Sequence, residues 1–180
     1  MQICVTRFDN KTLNENIEWK KNNNHPGSIY GTPVKISETI LPNSLIIVLE
    51  MNNSNNSIEG IGIIKNRQEK PDKKKFKIYK DNNYNRFIYK SNLRIDKKNL
   101  KSNYEKKILD ILEKLLFTTK NHFKRGHGIQ KLPKFIEKFD KIDFKAILIN
   151  IYKKRFVDIK TSKSYKQLTS TNQQPSINDR

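Results

Sequence analysis

The chain has 180 residues, of which 37 are Lys or Arg and 18 are Asp or Glu, giving a formal net charge of +19. This length suits one domain with appendages, and the charge favours a polyanionic partner. The single cysteine, Cys4, excludes an internal disulfide and a cysteine-based zinc cluster, and it fits a reducing compartment.

The positive charge begins abruptly at Lys65. Residues 1–64 sum to −1, residues 65–107 to +11 and residues 108–157 to +7. A localised basic block is typical of nucleic-acid-binding proteins. The alternative is compositional drift, because Asn- and Lys-rich chains are common products of AT-rich genomes. Compositional drift alone does not explain why the first third of the chain is nearly neutral.

The first half of the chain reads as mostly β. Residues 2–8 predict a strand, residues 10–24 a short helix or an ordered loop, and residues 28–36 an extended segment. Two apolar runs at 45–51 and 58–66 flank the polar sequence NNSNNS, which predicts a β-hairpin with a long tip.

In the second half of the chain, the spacing of the apolar residues changes from that of strands to that of a helix. Residues 76–80 and 84–95 alternate apolar and polar side chains and predict strands, whereas residues 103–120 show a Leu/Ile stripe at helical spacing. Residues 124–133 predict a loop that includes a short strand, and residues 143–157 a last helix.

These elements predict an α+β fold, a small twisted or barrel-like mixed sheet with C-terminal helices packed against it. The expected domains are a β-rich domain over 1–100, a helical extension over 101–158 and a flexible polar tail over 159–180. Neither a signal peptide nor an apolar run of membrane-spanning length is present in the sequence.

The hairpin PNSLIIVLEMNNSNNSIEGIGIIKN, with its Gly60-Ile61-Gly62-Ile63-Ile64 pattern, resembles the central strands of the PUA-like superfamily, which includes EVE, ASCH and YTH domains. The resemblance covers roughly residues 2–95. It implies a barrel whose mouth binds nucleic acid and an aromatic pocket for one flipped, often modified, base. By position, Tyr30 beside Gly31 would line that pocket, with Trp19 as a second wall.

Trp19 is the only tryptophan, so the dense Trp cage of YTH domains is absent, which argues against the reading of a methylated base. The Asn- and Lys-rich style is also similar to that of proteins of large DNA viruses. We therefore expect an intracellular protein of the cytoplasm, the nucleus, or a viral factory or virion, not a secreted or membrane protein.

The stretch 75–98 interleaves aromatic rings with cations. Strand alternation would place some of both on one face, where rings stack on bases and cations contact phosphates. The candidate nucleic-acid-binding residues here are Tyr84, Arg86, Tyr89 and Arg94. The alternative is that the rings face the core and the cations are solvated.

A second candidate segment is HFKRGHGIQK at 122–131, where Lys124, Arg125 and His127 accompany two glycines. Glycines allow a backbone to approach a phosphate closely, and successive N–H groups can form an anion nest. The segment does not match the Walker pattern. The alternative is a basic turn between helices.

No catalytic constellation is apparent in the sequence. The three histidines lack metal-ligand spacing, and Glu50 and Glu59, which flank the hairpin tip, are too few for a magnesium-dependent nuclease. We expect neither a metal nor a cofactor.

The sequence therefore predicts a non-catalytic nucleic-acid-binding protein, with RNA favoured over DNA. A basic surface would hold phosphates, and an aromatic pocket would hold a single base. The alternative is a structural or interaction subunit of a viral or ribonucleoprotein assembly, whose helices and tail contact other proteins. An enzyme acting on nucleic acid is the third hypothesis.

Overall fold

The computed structural model describes residues 1–69 and 76–155. Met1–Lys145 form one compact unit. The second unit, Ala146–Arg180, is described over residues 146–155, and these are helical. The predicted tail at 159–180 lies outside the described residues.

Two β-sheets form the centre of the first unit. The larger has five strands in the order β6-β4-β3-β1-β7, and the smaller pairs β2 with β5. The strands are β1 (Gln2–Phe8), β2 (Ser28–Thr32), β3 (Leu45–Asn52), β4 (Ser57–Lys65), β5 (Phe87–Ser91), β6 (Leu93–Asp96) and β7 (Gln130–Lys131).

The five-stranded sheet is mixed and open. Strand β1 runs parallel to β3, whereas the other pairs are antiparallel. Strands β6 and β7 form its two edges, so the expected α+β class is confirmed, but the sheet does not close into a barrel. The hairpin predicted around NNSNNS is confirmed as β3 and β4.

The helix α1 (Asn10–Asn22) follows β1 directly and begins the crossover that a parallel β1–β3 pair requires. Its first turn is closed by a capping box. Thr12 N donates to the Asp9 carboxylate at 2.7 Å, and Asp9 N donates to Thr12 Oγ1 at 3.0 Å. Asp9 therefore sets the end of β1 and the start of α1.

Both faces of the larger sheet are buried. Ile46 and Val48 belong to a core formed with β1, α1, β2 and β5, whereas their neighbours Ile47 and Leu49 point to the opposite face. Helix α2 (Asn103–Glu113) contributes no residue to that core and contacts β4. Burial on both sides explains why β3 is a continuous apolar run.

Residues 76–80 do not form the predicted strand. Ile78 and Tyr79 are consecutive and both buried, and their N–H groups donate to Asn85 Oδ1 at 2.9 and 3.0 Å. A side-chain amide thus satisfies the backbone donors that a strand partner would otherwise accept.

Residues 84–95 do not form one strand either. A 3₁₀ turn at Asn82–Asn85 precedes β5, and Asn92 separates β5 from β6. The break arises because β5 pairs with β2 in the smaller sheet, whereas β6 pairs with β4 in the larger one.

Helix α2 confirms the amphipathic helix predicted from 103, and it continues as a π-turn over Lys114–Thr118. A short helix, α3 (Lys134–Glu137), follows β7. Within 1–69 and 76–155, no helix combines the length and the apolar character that crossing a bilayer requires.

Replacing Leu112 with Ala tests whether α2 packs on the second face of the larger sheet. Leu112 has no exposed surface, so the Leu112→Ala variant should lose about 2–5 kcal/mol of unfolding free energy, measured by urea denaturation. Leu41→Ala is the matched control, because Leu41 is 75% exposed and its loss should change stability by less than about 0.5 kcal/mol. Equal effects would contradict this packing.

Candidate functional site

Of the predicted binding residues, Tyr30 lies in the interior, and Arg94 is only 11% exposed. Tyr30 is 1% exposed, and its hydroxyl donates to Glu50 Oε1 at 2.8 Å. Arg94 Nη2 lies 2.7 Å from Glu50 Oε2, and its Nη1 lies 3.1 Å from Asp96 Oδ2. The expectation that Tyr30 lines an open base pocket is corrected by this burial, and Arg94 is already paired with carboxylates.

Gly60 and Gly62 make room for these side chains. The register places Gly60 on β4 between Glu50 of β3 and Asp96 of β6. A Cβ on Gly60 would lie 2.6 Å from Arg94 Nη2 and 2.7 Å from Glu50 Oε2, and one on Gly62 would meet Tyr30 Oη. The absence of side chains at Gly60 and Gly62 therefore leaves room for a buried polar network.

The charges of this network are mutually stabilised. Burial lowers the pKa of Arg94, but the attraction of Glu50 and the hydrogen bonds to it outweigh burial and leave the pKa raised. Burial, together with Glu50, raises the pKa of Tyr30 well above its ordinary value. Tyr30 is therefore a neutral donor and Arg94 a cation, as a buried hydrogen-bonded pair requires.

The other aromatic candidates divide between core and surface. Tyr89 is 3% exposed, and its hydroxyl accepts from Ile36 N at 3.0 Å. Trp19 is half-buried against the same core, with Lys90 Nζ 5.8 Å from its ring. Arg86 is exposed, and its Cζ lies 5.5 Å from the ring centroid of Phe87. Tyr89 thus follows the alternative in which the rings of this stretch face the core.

A cavity of about 220 Å³ at the carboxyl end of β1 brings together Gly31, Tyr84 and His127, three predicted residues from three segments. A Cβ on Gly31 would meet the Tyr84 carbonyl oxygen, so glycine permits this approach. We call this space the Arg7 cavity; its other lining residues are Thr6, Arg7, Phe8, Asp9, Thr12, Asn53, Tyr79, Gly126 and Gly128.

Arg7 was not identified from the sequence. Its Nε donates to the Phe123 carbonyl at 2.8 Å, and its Cζ lies 4.4 Å from the ring centroid of Phe123. Its Nη1 and Nη2 are buried without a hydrogen-bond partner in the part of the chain that the structure describes. Burial lowers the pKa of Arg7 to about 10, so the guanidinium remains charged at neutral pH. The only available signal was a lone cation inside an otherwise uncharged strand.

Asn53 adds an unpaired acceptor to the same cavity. Its Nδ2 donates to the Lys124 carbonyl at 2.9 Å, which fixes the orientation of the amide. Its Oδ1 is buried without a partner among the described residues. The cavity wall therefore contains both a buried cationic donor and a buried neutral acceptor.

The segment 123–131 also forms one side of a neighbouring groove, which shares His127 with the Arg7 cavity. We call it the basic groove, since three cations and no carboxylate line it. Its residues are Val34, Lys35, Ser37, Thr39, Phe123, Arg125, His127, Ile129, Gln130 and Lys131. Arg125 and His127 are exposed, whereas Lys124 is half-buried.

The turn itself depends on its glycines. Gly126 has a φ of 130° and Gly128 a φ of 69°, in the region that side-chain-bearing residues avoid. The turn positions Arg125 and His127 at the basic groove, and phosphate binding by this segment stays a prediction.

The carboxylates of the hairpin are engaged in protein contacts. The Glu59 carboxylate accepts from Asn52 Nδ2 at 3.1 Å and from Ser57 Oγ at 2.6 Å, while Glu50 pairs with Arg94. Among the residues that the structure describes, no group of three His, Cys, Asp or Glu side chains could hold a metal ion. Comparison of the chain with family models, with curated proteins and with solved structures finds no match.

Breaking the buried ion pair should destabilise the fold strongly. The Glu50→Gln variant should lose about 3–5 kcal/mol of unfolding free energy, because Arg94 then keeps only its partly exposed Asp96 partner. Adding Arg94→Met should restore part of the loss, since no underpaired charge remains.

Urea denaturation of the single and double variants measures this coupling. The matched control is Lys97→Met, which removes the more exposed ion pair with Glu113 and should cost less than about 1 kcal/mol. A Glu50→Gln variant as stable as this control would contradict the structural role of the network.

Proposed function

We propose that this chain is a non-catalytic nucleic-acid-binding protein that favours RNA over DNA. The observation that carries the proposal is the basic groove, where Lys35, Arg125 and Lys131 line one surface without a carboxylate. Cations held together in this way suit the regular negative charge of a phosphate backbone.

The distribution of charge supports the proposal. The groove draws Lys35 from the neutral first third and the other two cations from the basic remainder. The +11 of residues 65–107 adds long-range attraction for a polyanion. The groove would then fix where the backbone lies, while the general charge raises the rate of encounter.

We now place the proposed base-binding pocket at the Arg7 cavity instead of at Tyr30 and Trp19. Tyr84 is half-buried there, and its ring meets that of Tyr79 edge-on with centroids 6.0 Å apart. Single-stranded RNA, whose bases and ends are accessible, suits a small cavity beside a phosphate-binding groove better than a duplex does.

The proposal also includes a relationship to the PUA-like superfamily and an intracellular location. The hairpin with Gly60 and Gly62 supports a PUA-like relationship, although the open sheet departs from a barrel. The single buried thiol of Cys4 supports an intracellular location, in a host cell or a viral factory.

Fluorescence anisotropy with a short labelled single-stranded RNA, and with DNA of the same sequence, tests the proposal. Affinity should fall steeply with salt, and Lys35→Gln or Arg125→Gln should each reduce the slope of log K against log salt by about 0.7. Both side chains are exposed, so neither change should affect folding.

The matched control is Lys21→Gln, an exposed lysine of α1 in the neutral third, which should leave the slope unchanged. Absent or salt-insensitive binding would refute the proposed function. Tighter binding of DNA than of RNA would refute the preference for RNA.

A further inference from the structure

Two partly buried arginines of this protein differ in their partners. Arg94 is paired with Glu50 and Asp96, whereas Arg7 Nη1 and Nη2 have no partner among the described residues. A buried charge without a partner is costly, because desolvation is not offset by attraction. Arg7 therefore has two buried donors for which the described chain provides no acceptor.

The geometry of a guanidinium determines which ligand fits best. Its nitrogens form a planar fork that binds two oxygens of a phosphate or carboxylate at once. The Arg7 Nε is held by the Phe123 carbonyl and the guanidinium lies against the Phe123 ring, so the fork is already oriented. An oxyanion would bind with little loss of side-chain entropy.

The lining of the cavity contains one carboxylate, which is engaged in the cap of α1. Asp9 is its only acidic residue, and the Asp9 carboxylate accepts from Thr12 N and Thr12 Oγ1 in the helix cap. Burial is the sole cause of the lowered pKa of Arg7. No carboxylate of residues 1–69 or 76–155 therefore forms an ion pair with the Arg7 guanidinium.

The size of the cavity favours the end of a chain over its middle. The cavity volume is about 220 Å³, and a terminal phosphate, which carries a sugar on one side only, needs less room than an internal phosphodiester with a sugar on both sides. Asn53 Oδ1, the unpaired acceptor, suits a hydroxyl donor such as a ribose supplies. The shared His127 lets the remaining chain continue into the basic groove.

We propose that the Arg7 cavity binds the terminal phosphate of a single-stranded nucleic acid, with Arg7 Nη1 and Nη2 donating to two phosphate oxygens. This inference rests on the proposed function and deepens it, because it adds recognition of one end to sequence-independent binding along the groove.

The test compares one short RNA in three forms, with a 5′-phosphate, with a 3′-phosphate, and with hydroxyls at both ends. The protein should bind one phosphorylated form at least about tenfold more tightly than the hydroxyl form, as expected for two charge-assisted hydrogen bonds. Arg7→Met should abolish this preference and keep the salt-dependent binding that all three forms share. Arg7→Lys should lose most of it, because an ammonium lacks the fork.

The matched control is Arg67→Met, which removes an exposed arginine outside both the cavity and the groove and should keep the preference. A further measurement needs no variant. A nucleoside monophosphate should displace the phosphorylated RNA from the unaltered protein, and the corresponding nucleoside should not.

The outcomes separate the two proposals. Equal binding of the three RNAs, or equal displacement by nucleotide and nucleoside, would overturn the terminal-phosphate site and leave the proposed function intact. Retention of the preference in a folded Arg7→Met variant would also overturn it. Absence of binding by all three RNAs would overturn the proposed function and this inference with it.

Discussion

The buried ion pair between Glu50 and Arg94 is the contact on which the arrangement of the two sheets depends. It spans β4, joins β3 to β6, and reaches β2 through the Tyr30 hydroxyl. A pair of this kind adds little net stability over a well-packed apolar substitute. Its value lies in register, because a one-residue slip of β6 would turn Arg94 to the opposite face of the sheet and away from Glu50.

The sequence predicts those elements whose pattern is local. Strand β1, the β3–β4 hairpin and the start of α2 were predicted from apolar runs, the NNSNNS tip and helical spacing, and the structure confirms them. The failures share one cause, a contact that the alternation of apolar and polar residues does not encode. Residues 76–80 do not form a strand, because the Asn85 side chain accepts their backbone hydrogen bonds. Residues 84–95 divide into two strands, because β5 and β6 pair in different sheets. Alternation alone contains no information about either partner.

Prediction of the site from the sequence is limited in the same way. All five residues of β2 are buried, so no alternation could reveal that Tyr30 points to Glu50 and not to solvent. Gly31, Tyr84 and His127 were each predicted for separate reasons, yet only the tertiary fold places them around one cavity. Arg7 was missed because a single cation in a strand usually lies on a wet face. Its buried position follows from Phe123, which lies more than a hundred residues away along the chain.

Under the two proposals, the charge of the chain would have two distinct roles. The basic excess after residue 64 acts over long range, but contacts between exposed lysines and phosphates are screened by salt and insensitive to the identity of the ligand. A desolvated guanidinium acts over short range and far more strongly for each contact, because the surrounding dielectric is low. Arg7 belongs to the neutral third of the chain. Discrimination between ligands would thus depend on the part of the sequence with almost no net charge, and attraction on the rest.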